Sequence, residues 1–322
     1  PLPERKKGLE IIPHMKSPKQ VGLENEIRSR LTGMVRTAAD ILLDDQEIQH
    51  LQEYANVVSI KRLGYNDHGP VHMRTVVLNA IIMADLMHAA GIPLSLQADD
   101  AGTYEDSLVG LLLAGMLHDV GMSIGRADHE HDGVWLSLPI MDRVLAQVYG
   151  ADIARRVVVR SLAVECIVGH MATQRVHSLE AGIILVADGC DMEKGRARIP
   201  MMIATESRVG DIHKYSASAI EQVKLERGVQ RPIRITVEMK ATVGFFQVEE
   251  VLLHKIDWSP AKPFIELYAG VIGKKIKCYL GCASRSESAE SPGAHPRTGA
   301  HPHPRAGGNG AARSAQHEAG KA

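Results

Sequence analysis

Aromatic side chains are scarce in this chain: three Phe, seven Tyr and two Trp among 322 residues, or 4%. A core without them must rest on Leu, Ile, Val, Met and Ala, which favours helix packing over a β-sandwich. Charge imbalance is also missing. With 37 basic and 38 acidic residues the formal net charge is −1, so long-range electrostatics give no reason to expect a nucleic-acid or membrane partner. No apolar run reaches membrane-spanning length, the nearest being the stretch from Leu108 to Leu117. No apolar segment follows the opening PLPERKKGLE, so a signal peptide is not expected, and Pro1 in place of Met points to a few residues missing upstream. There are only 4 cysteines. Cys166 and Cys190 sit singly in apolar stretches and read as buried thiols. Cys278 and Cys282 are spaced C-x3-C with no second pair, which argues against a zinc knuckle and against a disulfide framework. A reducing cytoplasm fits that pattern.

Histidine, by contrast, is abundant. Of the 16 in the chain, His295, His301, His303 and His317 lie in a biased C-terminal stretch, and the others fall in the part expected to fold. Residues 1–23 carry Pro3, Pro13 and Pro18 and read as a polar arm. From 24 to 43 the apolar positions Ile27, Leu31, Met34, Val35, Ala38, Ile41 and Leu42 recur at helical spacing. A second helix is expected over 45–62, then a loop, LGYNDHGP, made of turn formers, then a helix from Pro70 or Val71 to Ala90 with Pro70 in its first turn. The stretch SLVGLLLAGMLHDV (107–120) is apolar on nearly every face and must be buried at the centre of the domain. Helical patterns continue around 131–149, 151–169 and 177–188 and then, after an irregular stretch, from about 216 to 227. At Gly228 the character changes. RPIRITVEMKA alternates like a strand, 245–256 forms an amphipathic helix, and 264–272 reads as a second strand. The expected architecture is therefore mainly α: a helical bundle over 24–227, a small β-α-β appendage over 228–282, and a disordered low-complexity tail over 283–322.

Polar residues interrupt the apolar helices at telling places. His118 and Asp119 end the most apolar helix, where unpartnered polar groups are costly. Neighbours on a helix point about 100° apart and serve one another poorly. A metal cluster explains both, with the imidazole on one ion and the carboxylate bridging two. His170 follows AVECIVG and Asp188 follows GIILVA. Any one such residue reads most simply as a satisfied core polar group; the set together with His72 and His131 does not.

The order H…HD…H…H…D resembles the HD superfamily of metal-dependent phosphohydrolases. The contexts that carry the likeness are YNDHGPVHMRTV around His72, LLLAGMLHDVGM around the dyad, HDGVWL at His131 and ILVADGCDM at Asp188, and it covers roughly residues 50–225. The histidines between the dyad and the last aspartate are similar to the dinuclear branch, which includes the cyclic-dinucleotide phosphodiesterases. Their GYP signature is absent here, which argues against cyclic di-GMP. The appendage is similar to that of a group of prokaryotic HD proteins.

The resemblance implies an HD-type bundle and two divalent transition-metal ions, Mn, Fe, Co, Ni or Zn. One ion would take His72, His118, Asp119 and Asp188, the second Asp119, His131 and His170. The ions would share a hydroxide that attacks a phosphoester in line, with Asp119 as the bridge. His131 is preferred to His129 because H-x-G-x-x-L matches the family context. His68 is expected in the loop, touching substrate or a ligand. Lys194, Arg196 and Arg198 form a basic run just after Asp188, and His213 and Lys214 immediately precede Ser216, a helix-cap candidate. These are the expected phosphate contacts, with His213 also a catalytic candidate. The expected partner is a small phosphorylated substrate, a nucleotide foremost, in the cytoplasm, with a homodimer left open. Two other functions share the same residues: a diiron oxygenase of the myo-inositol oxygenase type, and a non-catalytic nucleotide sensor.

Overall fold

The computed structural model describes residues 16–193 and 211–282, with the side chains of 211–214 left aside. The expected tail, 283–322, and the basic residues Lys194, Arg196 and Arg198 lie outside the described residues, as do the side chains of His213 and Lys214.

The described chain is mostly helical, with one small C-terminal sheet. Helix α1 (Pro18–Arg30) starts six residues before the expected onset at Glu24, because Ser17 caps it through the Gln20 amide and Pro18 sits in its first turn. The single helix expected over 24–43 is two: extended Leu31 and Thr32 break the chain before α2 (Gly33–Asp44). Asp45 caps α3 (Gln46–Val57), which loosens into a π turn over Val58–Leu63. Then come α4 (Pro70–Ala89), the short α5 (Ser95–Ala98) and α6 (Tyr104–Leu117).

Helix α6 is the axis of the molecule, as its sequence requires. Every residue from Asp106 to Leu117 is buried, and α2, α4 and the later helices over Ile153–Gly169 and Leu179–Cys190 all pack on it. A reciprocal cap of Thr103 and Asp106 sets its start. The Asp106 carboxylate also accepts from the Tyr149 hydroxyl at 2.8 Å and from Arg155 at 2.6 Å, tying in the two helices behind it. The side chains of Leu111, Leu112, Leu113 and Leu117 are at most 1% exposed; truncating any one to Ala costs about 2–5 kcal/mol.

After a 3-10 turn (Val120–Ser123) come α7 (His129–Tyr149), α8 (Ile153–Gly169) and α9 (Leu179–Cys190). Pro139 lies inside α7, where it has no N–H to offer the carbonyl one turn back. Among the described residues no helix is long and apolar enough to cross a membrane.

The C-terminal part contains more strand than the sequence pattern showed. Helix α10 (Asp211–Ala219) runs directly into β1 (Ile220–Arg227), which pairs antiparallel with β2 (Ile233–Met239); 220–227 is therefore a strand, not the continuation of the helix expected from Ser216. Its inward alternation is weak, since it ends in the polar run KLER. The expected β-α-β unit is present. A π turn (Gln247–Leu252) and α11 (Leu253–Trp258) connect β2 to the parallel β3 (Ile265–Val271). A fourth strand, β4 (Lys277–Leu280), pairs antiparallel with β3. The buried Glu266 pins the β1–β2 turn, accepting from the amides of Val229 at 2.7 Å and Gln230 at 3.2 Å and from Arg234 at 2.9 Å.

Cys278 and Cys282 form a disulfide, although the cysteine pattern did not read as a disulfide framework. Four residues of straight strand would separate them by roughly 13 Å. Gly281, at φ 69°, turns the chain back after β4 and brings the two Cα atoms to 5.9 Å. Cys166 and Cys190 are buried free thiols, as expected.

Candidate metal centre

The polar residues singled out in the sequence sit at helix ends, and the packing gathers those ends in one place. His72 is in the first turn of α4, His118 caps the C-terminus of α6, His170 caps α8, and Asp188 lies in the last turn of α9. Asp119 has already left the helix (φ −105°, ψ 5°), so adjacent residues can meet: His118 Nε2 is 3.4 Å from Asp119 Oδ2. All five residues are buried.

Asp119 is the hub. Its Oδ2 faces His72 Nε2 at 3.1 Å and His118 Nε2, while its Oδ1 faces His129 Nε2 at 3.2 Å and His170 Nε2 at 3.3 Å. Asp188 Oδ1 joins the first group, 3.3 Å from His72 Nε2. The histidine in the second group is His129, not His131. His131 is exposed, and its ring lies instead near the carboxylates of Asp128 and Glu130.

The reason lies in the packing of the 3-10 turn on α7. A Cβ on Gly121 would overlap the His129 carbonyl and stand 2.6 Å from the Gly133 amide, so only glycine permits this approach. The face of α7 so held against Asp119 carries residues 129 and 133, one turn apart. Residue 131 is about 200° around the helix.

Each ring is fixed through its other nitrogen. His118 Nδ1 donates to the Gly115 carbonyl at 3.0 Å, His129 Nδ1 to that of Arg126 at 3.0 Å, and His170 Nδ1 to that of Ile167 at 2.6 Å. His72 Nδ1 donates to Asp191 Oδ2 at 2.6 Å. Carbonyls only accept, so Nδ1 must carry the proton, and in a neutral imidazole Nε2 then presents a lone pair. Two such nitrogens meet at 3.1 Å between His72 and His118, and two more at 3.2 Å between His129 and His170.

Paired lone pairs around a buried carboxylate repel one another unless a cation lies among them. Burial disfavours charge on Asp119, but the imidazoles around it, His118 first, favour the carboxylate more strongly and hold its carboxyl well below the usual range. Burial meanwhile pushes the His170 imidazole down to about 4, against the pull of Asp119, so protonation does not supply the cation there at neutral pH. A metal ion does. The groups His72/His118/Asp188 and His118/Asp119/His170 each bring their ligand atoms within 4.8 Å of one another. The cluster can hold metal, and its imidazole and carboxylate donors suit a divalent transition ion.

Three further residues complete the site. His68, as expected, lies in the loop before α4. It is buried, its ring centroid 5.9 Å from that of His72, with Nδ1 2.6 Å from the Asn66 carbonyl and 2.8 Å from Ser59 Oγ. Asp191 was not picked out in the sequence, although it stands three residues after Asp188. Lys255 carried no local signal at all. It reaches in from α11, pairs with Asp188 Oδ2 and donates to the His170 carbonyl at 2.8 Å, so the C-terminal part contributes to the site. Small residues on α9 allow the approach: a Cβ on Gly189 would come to 3.1 Å from Lys255 Cδ, and one on Gly182 to 2.6 Å from Ser259 Oγ.

Comparison with known proteins adds kinship without a function. The chain is 36% identical to uncharacterized protein MJ1020 of Methanocaldococcus jannaschii over 253 residues, spanning 79% of this chain and 95% of that protein. It belongs to the MJ1020 family. No family model matches the chain, and no solved structure matches it. What the members of the MJ1020 family do must therefore be argued from the buried cluster itself.

Proposed function

We propose that this chain is a metal-dependent phosphohydrolase of the HD type, acting on a phosphomonoester or phosphodiester of a small molecule, a nucleotide foremost. The observation that carries the reading is the division of Asp119: one oxygen faces His72 and His118, the other His129 and His170. In this reading one divalent ion is held by His72, His118, Asp119 and Asp188, and a second by Asp119, His129 and His170. With His129 in place of His131, that is the ligand order implied by the resemblance to the HD superfamily. When bound, two such ions supply Lewis acidity toward phosphoryl oxygens and a nucleophile at neutral pH.

The chain's own residues do the positioning. Hydrogen bonds at each Nδ1 fix the tautomer and the ring plane, so the donors are set before anything binds. Burial beneath α6 and α9 keeps bulk water from screening charge that develops at the site. His68 is the group we assign to proton transfer at the leaving oxygen: the Asn66 carbonyl holds a proton on Nδ1, which leaves Nε2 to accept or deliver one.

The test is to strip the protein of metal, add back Mn, Fe, Co, Ni, Zn or Mg singly, and measure phosphate release from a panel of phosphorylated metabolites. The expected result is metal-dependent release from at least one nucleotide. Oxygen consumption with iron and no phosphate release would give the oxygenase instead. Nucleotide binding without turnover under every metal would give the sensor.

A further inference from the structure

Arg126 lies in the short link between the 3-10 turn and α7, and its carbonyl already serves the site by accepting from His129 Nδ1. Its guanidinium stands among three segments that each carry a site residue. Nη1 is 3.9 Å from the sulfur of Met122, three residues after Asp119. Nη2 is 3.8 Å from the sulfur of Met171, which follows His170. Cζ lies 5.6 Å from the ring centroid of Tyr65, three residues before His68.

None of these partners is an anion. Among the described residues, the half-buried Arg28, Arg155, Arg160 and Arg234 and the buried Arg74 pair with carboxylates, and the half-buried Arg156 and Arg231 donate to backbone carbonyls. Arg126, also half-buried, has neither kind of partner. A thioether is a weak acceptor and an aromatic face accepts no conventional hydrogen bond, so they locate the guanidinium without consuming its five N–H donors. The flanking backbone is held at a cost: Asp128 (φ 53°) and Ala172 (φ 58°) are non-glycine residues in left-handed conformations. Such outliers persist where the surrounding structure enforces them.

We propose that Arg126 grips the phosphate group of the substrate at the rim of the Asp119–His129–His170 half of the centre. This rests on the phosphohydrolase reading. A planar guanidinium offers two parallel N–H donors that match two phosphate oxygens, and it stays charged at any working pH. The site thus selects a phosphoryl dianion or monoanion over a neutral ligand of similar size.

The test uses inorganic phosphate as the probe and the full-length, metal-loaded protein. Phosphate affinity by titration calorimetry and metal content are measured on the same samples of wild type, Arg126→Ala and Arg126→Lys. A lost charge-assisted hydrogen bond predicts that Arg126→Ala weakens phosphate binding roughly 10- to 150-fold with metal content unchanged. Arg126→Lys, which keeps the charge but not the fork, should recover part of that loss. Equal affinity in wild type and Arg126→Ala would overturn the assignment while leaving the phosphohydrolase reading intact. Loss of metal together with phosphate in Arg126→Ala would also overturn it, by showing that the residue only holds the frame. A wild type that takes up metal but binds no phosphate would overturn both.

Discussion

His72 Nδ1 lies 2.6 Å from Asp191 Oδ2, 119 residues further along the chain. The pair joins the first turn of α4 to the C-terminal end of α9, and it decides which nitrogen of His72 faces Asp119. A carboxylate behind a metal-binding imidazole raises its basicity and fixes its orientation. Asp191→Ala should lower metal affinity roughly 10- to 100-fold while the fold is kept. Metal titration of the stripped protein, with circular dichroism alongside, checks both parts.

The two histidines of H-E-H should behave in opposite ways. His129→Ala removes one of the four nitrogens around Asp119 and should lower metal content. His131→Ala changes an exposed side chain and should leave it as in wild type. Equal loss in the two variants would mean that α7 is rotated from the position described.

His68 separates chemistry from metal binding. A proton-transfer group contributes about 10²–10⁴-fold to a rate, so His68→Gln should reduce kcat by that order with metal content unchanged. A variant with full kcat would remove His68 from the proposed reaction.

Away from the site, a buried ion pair sets an acid limit on stability. Glu24 accepts from Arg74 at 2.6 Å and from Lys16 at 2.8 Å, and both Glu24 and Arg74 are buried. Burial alone would raise the Glu24 pKa, but the bonds from Lys16 and Arg74 outweigh it and lower it. A carboxyl depressed in the folded state adds stability that is fully present above its unfolded value, about 4.3, and that is lost as pH falls through the lower folded value. Glu24→Gln leaves Arg74 buried without its counter-charge, at about 3–5 kcal/mol. The variant should melt lower than wild type at pH 7, and the gap should shrink on acidification below pH ~4. A gap that does not change with pH would show that charge is not the cause.

Much of this structure is legible in the sequence, and the gaps have physical causes. The all-apolar run at 107–120 announced a central helix because nothing else can bury that many faces. His118, Asp119, His170 and Asp188 stood out because a polar group ending such a run is costly without partners. The choice between His129 and His131 was not available locally, since it depends on the close approach that Gly121 allows and on where α7 begins. Asp191 was in reach, three residues after Asp188 and just past the end of α9. Lys255 was not: its role comes from the packing of α11 against α9, and a lysine in an amphipathic segment looks the same whether it meets solvent or a buried aspartate. The strand β1 was missed because its exposed half alternates poorly, and the Cys278–Cys282 bond because it depends on the turn at Gly281.

Metal content per chain decides whether the buried cluster is a metal centre bridged by Asp119. Wild type and Asp119→Ala are stripped, reloaded with manganese, desalted and measured by elemental analysis, with circular dichroism to confirm the fold. Wild type should hold two ions per chain and Asp119→Ala essentially none, with helical content alike in both, because the leucines of α6 rather than the metal hold the bundle. A wild type that retains no metal, or an Asp119→Ala protein that retains as much as wild type, would contradict the bridged metal centre.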